Sequence, residues 1–499
     1  MKTILSLTLI LVFLTGGSVF AATGIPNHKA ELVIGSAVDI NNLDPQAQSD
    51  QINNIVLKLT HQTLVFFTNE ATFEPSLAAS WEFRDDTHVV FHLVKNAKFS
   101  DGTPLTAEDV KFTIDMAMKS YVADSLTGLI STSVIDPYTI EMKTASYNNE
   151  FIQTFASVSF AILSKKAYSS GMKQPYLVGS GPYKFDKWVQ GEYVRVIKNQ
   201  NYWGTEPGVS DAIVFKPILE DSSRVIALQT GEIDVCINPP VNELPFLQKD
   251  KNITVFERPG SRLFYFAFNV TKAPWNNQKL RQAVACAIDR KGVLEVAVAG
   301  KGTPQKTILN RGLWGFYDEM PGFNYDLTRA KNLMAEAGYP NGGIKTSLLI
   351  ANSSPYTGIA QVIQANLKAI GITVDIQTVD DATLKANSKS GTQELYLWRW
   401  NEDAMVDFVY RDLFYTGSGS NYHHYSDKKA DTLIDMVATE KDKTKRMQAG
   451  IDLQKYLVEA CPQVPLYIAN LVIAYNKNLK GEYLFGGGNH DWKNAYIAK

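Results

Sequence analysis

The stretch from Phe73 to Phe112, FEPSLAASWEFRDDTHVVFHLVKNAKFSDGTPLTAEDVKF, permits few local structures. It reads as strand, turn, strand, turn, helix. Trp81-Glu82-Phe83 and Val89-Val90-Phe91-His92-Leu93 carry the aromatic and β-branched bias of strands, broken at Asp85-Asp86. Ser100-Asp101-Gly102-Thr103-Pro104 is a turn cluster in which Gly102 is free to take positive φ. Thr106 then opens a helix, with Asp109 completing a Thr-x-x-Asp capping box and Val110, Ile114 and Met118 repeating at helical spacing.

Helix and strand keep alternating downstream. Asp326 to Ala337 has Asp at its start, Ala330, Leu333, Met334 and Ala337 on one face, Gly338 at its stop and Pro340 beyond. Asn277 to Asp289 places Leu280, Val284, Ala287 and Ile288 on one face. Ile359 to Ile370 is periodic in the same way, ends at Gly371, and is followed by Ile372-Thr373-Val374-Asp375-Ile376, which alternates as a half-buried strand. Helix then strand, repeated, predicts an α/β fold with a partly parallel sheet. At 499 residues the chain exceeds what one core accommodates, so two or three lobes are expected.

Residues 1–21 read as a signal peptide: Lys2, an apolar run from Ile4 to Leu14, and the small-residue site Val19-Phe20-Ala21. Cleavage after Ala21 without a nearby lipid-attachment cysteine predicts an exported protein free in the periplasm. Cys236, Cys286 and Cys461 allow at most one internal disulfide, and none sits in a CxxC or beside a His, so they read as buried thiols. A net charge of −2, with Lys and Arg dispersed, excludes the electrostatic case for nucleic acid or an anionic membrane surface. No nucleophile elbow, HExxH or phosphate-binding glycine loop is present; Gly179-Ser180-Gly181 runs into Pro182 as a turn. Neither catalysis nor a cofactor is implied.

The Phe73–Phe112 run closely resembles the signature of the family 5 solute-binding proteins of ABC importers, the peptide and nickel receptors. The resemblance continues through Gly179-Ser180-Gly181-Pro182-Tyr183-Lys184-Phe185, Asn201-Tyr202-Trp203-Gly204, Gly231-Glu232-Ile233-Asp234-Val235, Lys279-Leu280-Arg281-Gln282-Ala283, Ala335-Glu336-Ala337-Gly338-Tyr339-Pro340 and Gln463-Val464-Pro465-Leu466-Tyr467. It implies a two-domain periplasmic-binding-protein fold, class II-like, with an extra lobe inserted in the first domain and a two-strand hinge at Leu263–Asn269 and Val464–Ile468. Domain I would comprise residues 22–54, 179–263 and 471–499, the extra lobe 55–178, and domain II 264–470. It also implies a monomeric receptor that delivers peptides to the permease subunits of an importer whose separate subunits hydrolyse ATP.

Glu394-Leu395-Tyr396-Leu397-Trp398-Arg399-Trp400-Asn401-Glu402-Asp403 is the best candidate site. Alternation puts Trp398 and Trp400 on one strand face and Arg399 on the other. Aromatic walls beside fixed charges suit a ligand with an ammonium group and apolar side chains. The same residues also suit a core strand followed by a solvated acidic turn. In the resembling peptide receptors a Gly-Trp ends this strand, and an Asp three residues after the Trp pairs with the peptide's N-terminal ammonium. That register puts Trp400 at the Trp and Asp403 at the ammonium, with Glu402 the candidate one residue earlier. Arg399 replaces the usual small residue, and Val406-Asp407 stands where the family has Asp-Pro. The arginine with which dipeptide receptors grip a C-terminal carboxylate has no counterpart, since no Lys or Arg lies between Lys345 and Lys368.

Asn421-Tyr422-His423-His424-Tyr425 is read as an extended loop, with Asn421 a candidate ligand contact and the histidines exposed. Nickel receptors of the family use a His from this region, which makes His423 and His424 the residues of an alternative metal-chelate reading. Thr154–Ala161 lacks the arginines that hold the chelator there. A periplasmic holdase that grips unfolded chains is the third reading.

Overall fold

The computed structural model describes residues 27–47, 51–68, 73–309, 311, 313–317, 319–353, 355–401, 406–481 and 491–499. The signal peptide with its Ala21 site, and both Glu402 and Asp403, lie outside the described residues.

One mixed sheet of eleven strands runs through both domains. Its order is Ile372–Val379, Ile344–Ala351, Leu395–Asn401, Ile253–Phe268, Gln463–Asn476, Val235–Ile237, Glu31–Ser36, Ala212–Pro217, Tyr193–Lys198 and Tyr183–Val189, with Gly302–Pro304 pairing on Gln463–Asn476. Parallel pairs lie in both halves of the sheet. Ile344–Ala351 runs parallel to Ile372–Val379 and Leu395–Asn401, and Glu31–Ser36 runs parallel to Ala212–Pro217 and Val235–Ile237. The helix Tyr356–Lys368 makes the crossover connection such parallel neighbours need, and Gly371 at φ +81° turns the chain into the next strand.

The two strands that cross between domains are longer than their sequence shows. Leu263–Asn269 overlaps only the C-terminal part of the 16-residue strand Ile253–Phe268, and Val464–Ile468 is only part of the 14-residue strand Gln463–Asn476. The ladder passes Pro259-Gly260 with a register shift between Pro259 and Arg262. Glycine is required there, because a Cβ on Gly260 would lie 2.3 Å from the Ala469 carbonyl oxygen.

Separate apolar cores flank this crossing. Phe264, Phe266, Phe268, Leu280, Val284, Ile359, Ile363 and Tyr396 belong to one. Leu32, Ile34, Val56, Leu57, Phe215, Val235 and Ile473 belong to another. A third, with Val89, Phe91, Phe99, Val110, Ile114, Ile140 and Phe155, fills a four-stranded antiparallel sheet of Ala78–Phe83, His88–Leu93, Thr139–Thr144 and Leu129–Asp136 and the helix Ala107–Ala117 over it. Asp109 anchors that helix: its carboxylate accepts from the Thr106 backbone N–H at 2.9 Å and hydroxyl at 3.1 Å, and from the Lys165 N–H at 3.0 Å. Met118, in phase with Val110 and Ile114, falls at the C-cap instead and is 45% exposed.

Arg281 of the Lys279–Ala283 segment serves packing. Its Nε, Nη1 and Nη2 donate to the carbonyls of Cys461, Trp275 and Ala460 at 2.9, 2.7 and 2.6 Å, closing the end of the helix Lys443–Ala460. All three cysteines are buried and free, and burial pushes the Cys236 and Cys461 thiols up to about 11 and about 12, which makes them inert.

Candidate functional site

Leu395–Asn401 hydrogen-bonds along the domain II half of the crossing strand, with Trp400 opposite Leu263, Arg399 opposite Phe264, Trp398 opposite Tyr265 and Asn401 opposite Arg262. Trp398 and Trp400 therefore share one face and Arg399 takes the other, as alternation predicts, and all three are half-buried. The Trp398 ring meets Tyr422 edge-on at 6.4 Å. Trp400 Nε1 is buried and has no hydrogen-bond partner among the described residues.

Arg399 is held in place. Nη1 donates to the Tyr356 hydroxyl at 2.8 Å and Nη2 to Asp381 Oδ2 at 2.9 Å. Burial works against its charge, but Tyr356 and Asp381 outweigh it and keep the guanidinium above its ordinary value. Phe264 stacks on Tyr467 at 4.9 Å and leans on Tyr356 at 5.8 Å, so this face is an aromatic floor beneath cations. Arg262, at the crossing itself, donates from Nη2 to Gln51 Oε1 at 2.9 Å, at the start of the helix Gln51–Thr60.

The His423 loop differs from the exposed loop its sequence suggests. His423 is fully buried, its ring stacked on Phe414 at 5.4 Å and Tyr265 at 5.8 Å, with Nε2 2.8 Å from Gln463 Oε1. Burial lowers its pKa to about 4. His424 adopts φ +52° and sets Nε2 3.1 Å from the Ser388 carbonyl. Asn421 is turned onto its own loop, donating to the Tyr415 and Tyr425 carbonyls at 3.1 and 2.7 Å and accepting from the Tyr425 N–H. His423 packs against aromatic rings of this core, which a pattern of adjacent polar residues does not reveal. Among the described residues no group of three or more His, Cys, Asp or Glu is arranged to hold a metal.

Sequence reasoning misses a contact between the small lobe and domain II. Glu150, 4% exposed, accepts from the Val406 and Asp407 N–H groups at 3.2 and 3.1 Å and from Arg446 Nη2 at 3.0 Å. The acceptors meet the first turn of the helix Val406–Phe414, where a carboxylate is favoured by the exposed amides and the helix dipole. Arg446 also lies 4.0 Å over the Trp314 ring and donates from Nε to the Val437 carbonyl. Asn149 Nδ2 donates to the Ala438 and Glu440 carbonyls at 3.0 and 2.9 Å. Asp407 is buried beside this cluster, and desolvation raises its pKa to about 6. Asn148-Asn149-Glu150 looks like any polar turn; only the fold brings it to the helix that follows the candidate segment.

Comparison with known proteins bears on the whole arrangement. The family model for bacterial extracellular solute-binding proteins, family 5 Middle, matches residues 72–422. The glutathione-binding protein GsiB of Escherichia coli strain K12 is 28% identical over 487 residues, covering 93% of this chain and 94% of that protein. The periplasmic binding protein DppA of Helicobacter pylori, solved in complex with the peptide STSA, superposes with a TM-score of 0.85 at 26% identity, covering 95% of this chain and 99% of that one. NikZ of Campylobacter jejuni, solved with Ni(L-His), shares the fold at a TM-score of 0.83 and 21% identity, over 94% and 99% of the two chains. These proteins are binding receptors, and among the described residues no helix is long and apolar enough to cross a membrane. The chain belongs to the bacterial extracellular solute-binding proteins of family 5, the substrate receptors of ABC importers.

Proposed function

We propose that this receptor captures peptides between its two domains and hands them to the permease subunits of an ABC importer. One observation carries the reading: half-buried Trp398, Arg399 and Trp400 lie at the end of a strand bonded to the crossing strand, beside Arg262, which holds Gln51 at the start of the helix Gln51–Thr60. Aromatic rings and charges there can meet a ligand from one domain while the other closes over it. The peptide-bound DppA and the glutathione-binding GsiB support a peptide ligand. Asp403 is the proposed ammonium anchor, with Glu402 the alternative. The nickel reading gains nothing from His423 and His424, whose rings pack against protein groups. The receptor acts as a monomer, exported and cleaved after Ala21.

Native mass spectrometry of the protein purified from the periplasm tests both parts in one spectrum. The expected species is a chain starting at Ala22 with peptide masses bound at one per chain. Retained Met1 or a lipid adduct overturns the export reading. Stoichiometric nickel, or a bound solute with no peptide bond, overturns the ligand class. Suppressed aggregation of unfolded chains without saturable binding of small peptides would make the protein a holdase instead.

A further inference from the structure

The helix Val406–Phe414 meets the small lobe with acids on both sides of the contact. Val406, Val409, Leu413 and Phe414 belong to the core around the crossing strand, and Leu126 and Phe151 to that of the lobe, so two separately packed bodies meet here. At the start of the helix Asp407, 5% exposed, faces the turn at 148–150: the Asn148 side chain bonds its carboxylate, and Glu150 accepts from its backbone N–H at 3.1 Å. Arg446, on the helix Lys443–Ala460, faces Asp407, Glu150 and Tyr147 together. Arg411 also faces Asp407, but its Nη2 is engaged by Asp435 Oδ1 at 2.8 Å, on the helix Lys428–Thr439. Further along, half-buried Asp412 faces Asp124 of the lobe, whose Oδ2 comes within 3.3 Å of the Cβ position on Gly419. Ser420 bonds the Asp412 carboxylate, Lys385 of the helix Asp381–Ser390 is the cation near it, and Tyr265 and Tyr422 lie within reach.

Burial raises both carboxyls to about 6. At Asp407 it outweighs the Phe408 N–H, Arg446, Arg411 and Asn148; at Asp412 it outweighs Ser420 and Lys385, and the Asp124 charge adds to it. With the lobe withdrawn, water reaches both groups and they return toward the ordinary value of about 3.9. The closed arrangement then binds more protons than the open one. Its gain is complete below about pH 4 and is lost as pH rises through about 6.

We propose that closure of the small lobe onto the helix Val406–Phe414 is proton-linked, with Asp407 and Asp412 taking up protons as the surfaces meet. The receptor therefore holds its ligand more tightly in acid and releases it more readily at neutral pH. This rests on the capture of ligand between two domains, and not on the class of ligand. Protonation of the Asp403 anchor acts with the opposite sign, since it weakens ammonium binding in acid, so it cannot imitate the effect.

Two measurements on the natural chain test the proposal. The first is titration calorimetry with tri- to pentapeptides of alanine between about pH 7 and about pH 5, a range in which their termini keep their charges. Affinity should rise toward acid by about tenfold for each of the two carboxyls. Asp407→Asn and Asp412→Asn should each remove one share of that rise, and the double variant all of it. The second is hydrogen exchange without ligand at the Val406 and Asp407 amides, corrected for the intrinsic rate. These first-turn amides have Glu150 of the lobe as their acceptor, so their protection reports the contact itself. Affinity carries the linkage where the free protein is mostly open, and protection carries it where the free protein is mostly closed. Affinity and protection both flat, or falling toward acid, overturn the proposal. A rise that persists in the double variant overturns its assignment to Asp407 and Asp412. No binding by any peptide of the panel counts against the peptide reading alone, and exchange then decides: protection rising toward acid supports the linkage and flat protection overturns it.

Discussion

With Asp403 as the proposed ammonium anchor, its replacement by Asn should weaken binding of a peptide with a free N-terminus by roughly a hundred- to several-thousand-fold. The segment that holds Asp403 leaves the sheet at Asn401, opposite Arg262, and enters the helix at Val406, which Glu150 meets from the small lobe. Asp403→Asn keeps the shape of the side chain and removes its charge, leaving the ligand's ammonium without a counter-charge in a desolvated cleft. Removing one partner of a buried ion pair costs on the order of 3–5 kcal/mol, which gives the stated fold-change. Titration calorimetry reads it directly. N-acetylated peptides should bind the natural protein poorly and lose little more on the substitution. Glu402→Gln should change affinity by less than about 1 kcal/mol, the value of an exposed charge. The reverse order of effects moves the anchor to Glu402. Indifference to both removes the ammonium site.

Glu150→Ala is the second large effect, and it acts away from the ligand. Glu150 is the only group described as accepting from the Val406 and Asp407 amides and from Arg446 Nη2 together. Without it, the lobe and domain II meet by burying two unpaired amides and a guanidinium left with only the Val437 carbonyl and the Trp314 ring, at about 2–5 kcal/mol. When the domains part, water satisfies these groups, so the cost falls on the closed arrangement. Ligand affinity includes the free energy of closure and should drop by roughly 30-fold to a few thousand-fold. The exposed lobe-to-domain pair of Lys441 and Asp86 is the control: Lys441→Ala should change affinity by less than about fivefold. Glu150→Ala with unchanged peptide affinity would mean that this contact persists in both arrangements.

What the sequence makes legible follows from the range of the interactions involved. Capping residues and periodicity are local, so the helices at Ala107–Ala117, Gln278–Ala287, Leu327–Glu336 and Tyr356–Lys368 are readable to within a turn. Pairing partners are not local. Leu263–Asn269 reads as a short strand because nothing nearby announces the strand Gln463–Asn476 that extends the ladder back to Ile253. At the candidate site, alternation correctly sorts Trp398, Arg399 and Trp400 onto two faces. Alternation does not say that Arg262, more than a hundred residues earlier, lies beside Arg399, or that His423 is closed in by Phe414 and Tyr265. Glu150 is the clearest case, a polar turn residue whose role depends on amides 256 and 257 residues away.

The central claim is that ligand binding and domain closure are one event. Closure shifts a population toward an arrangement in which both domains contact the ligand. Small-angle X-ray scattering of the purified protein, stripped of ligand and then saturated with a peptide whose binding calorimetry has established, tests this most directly. The account predicts a smaller radius of gyration in the saturated sample. Superimposable curves with the peptide bound would contradict it.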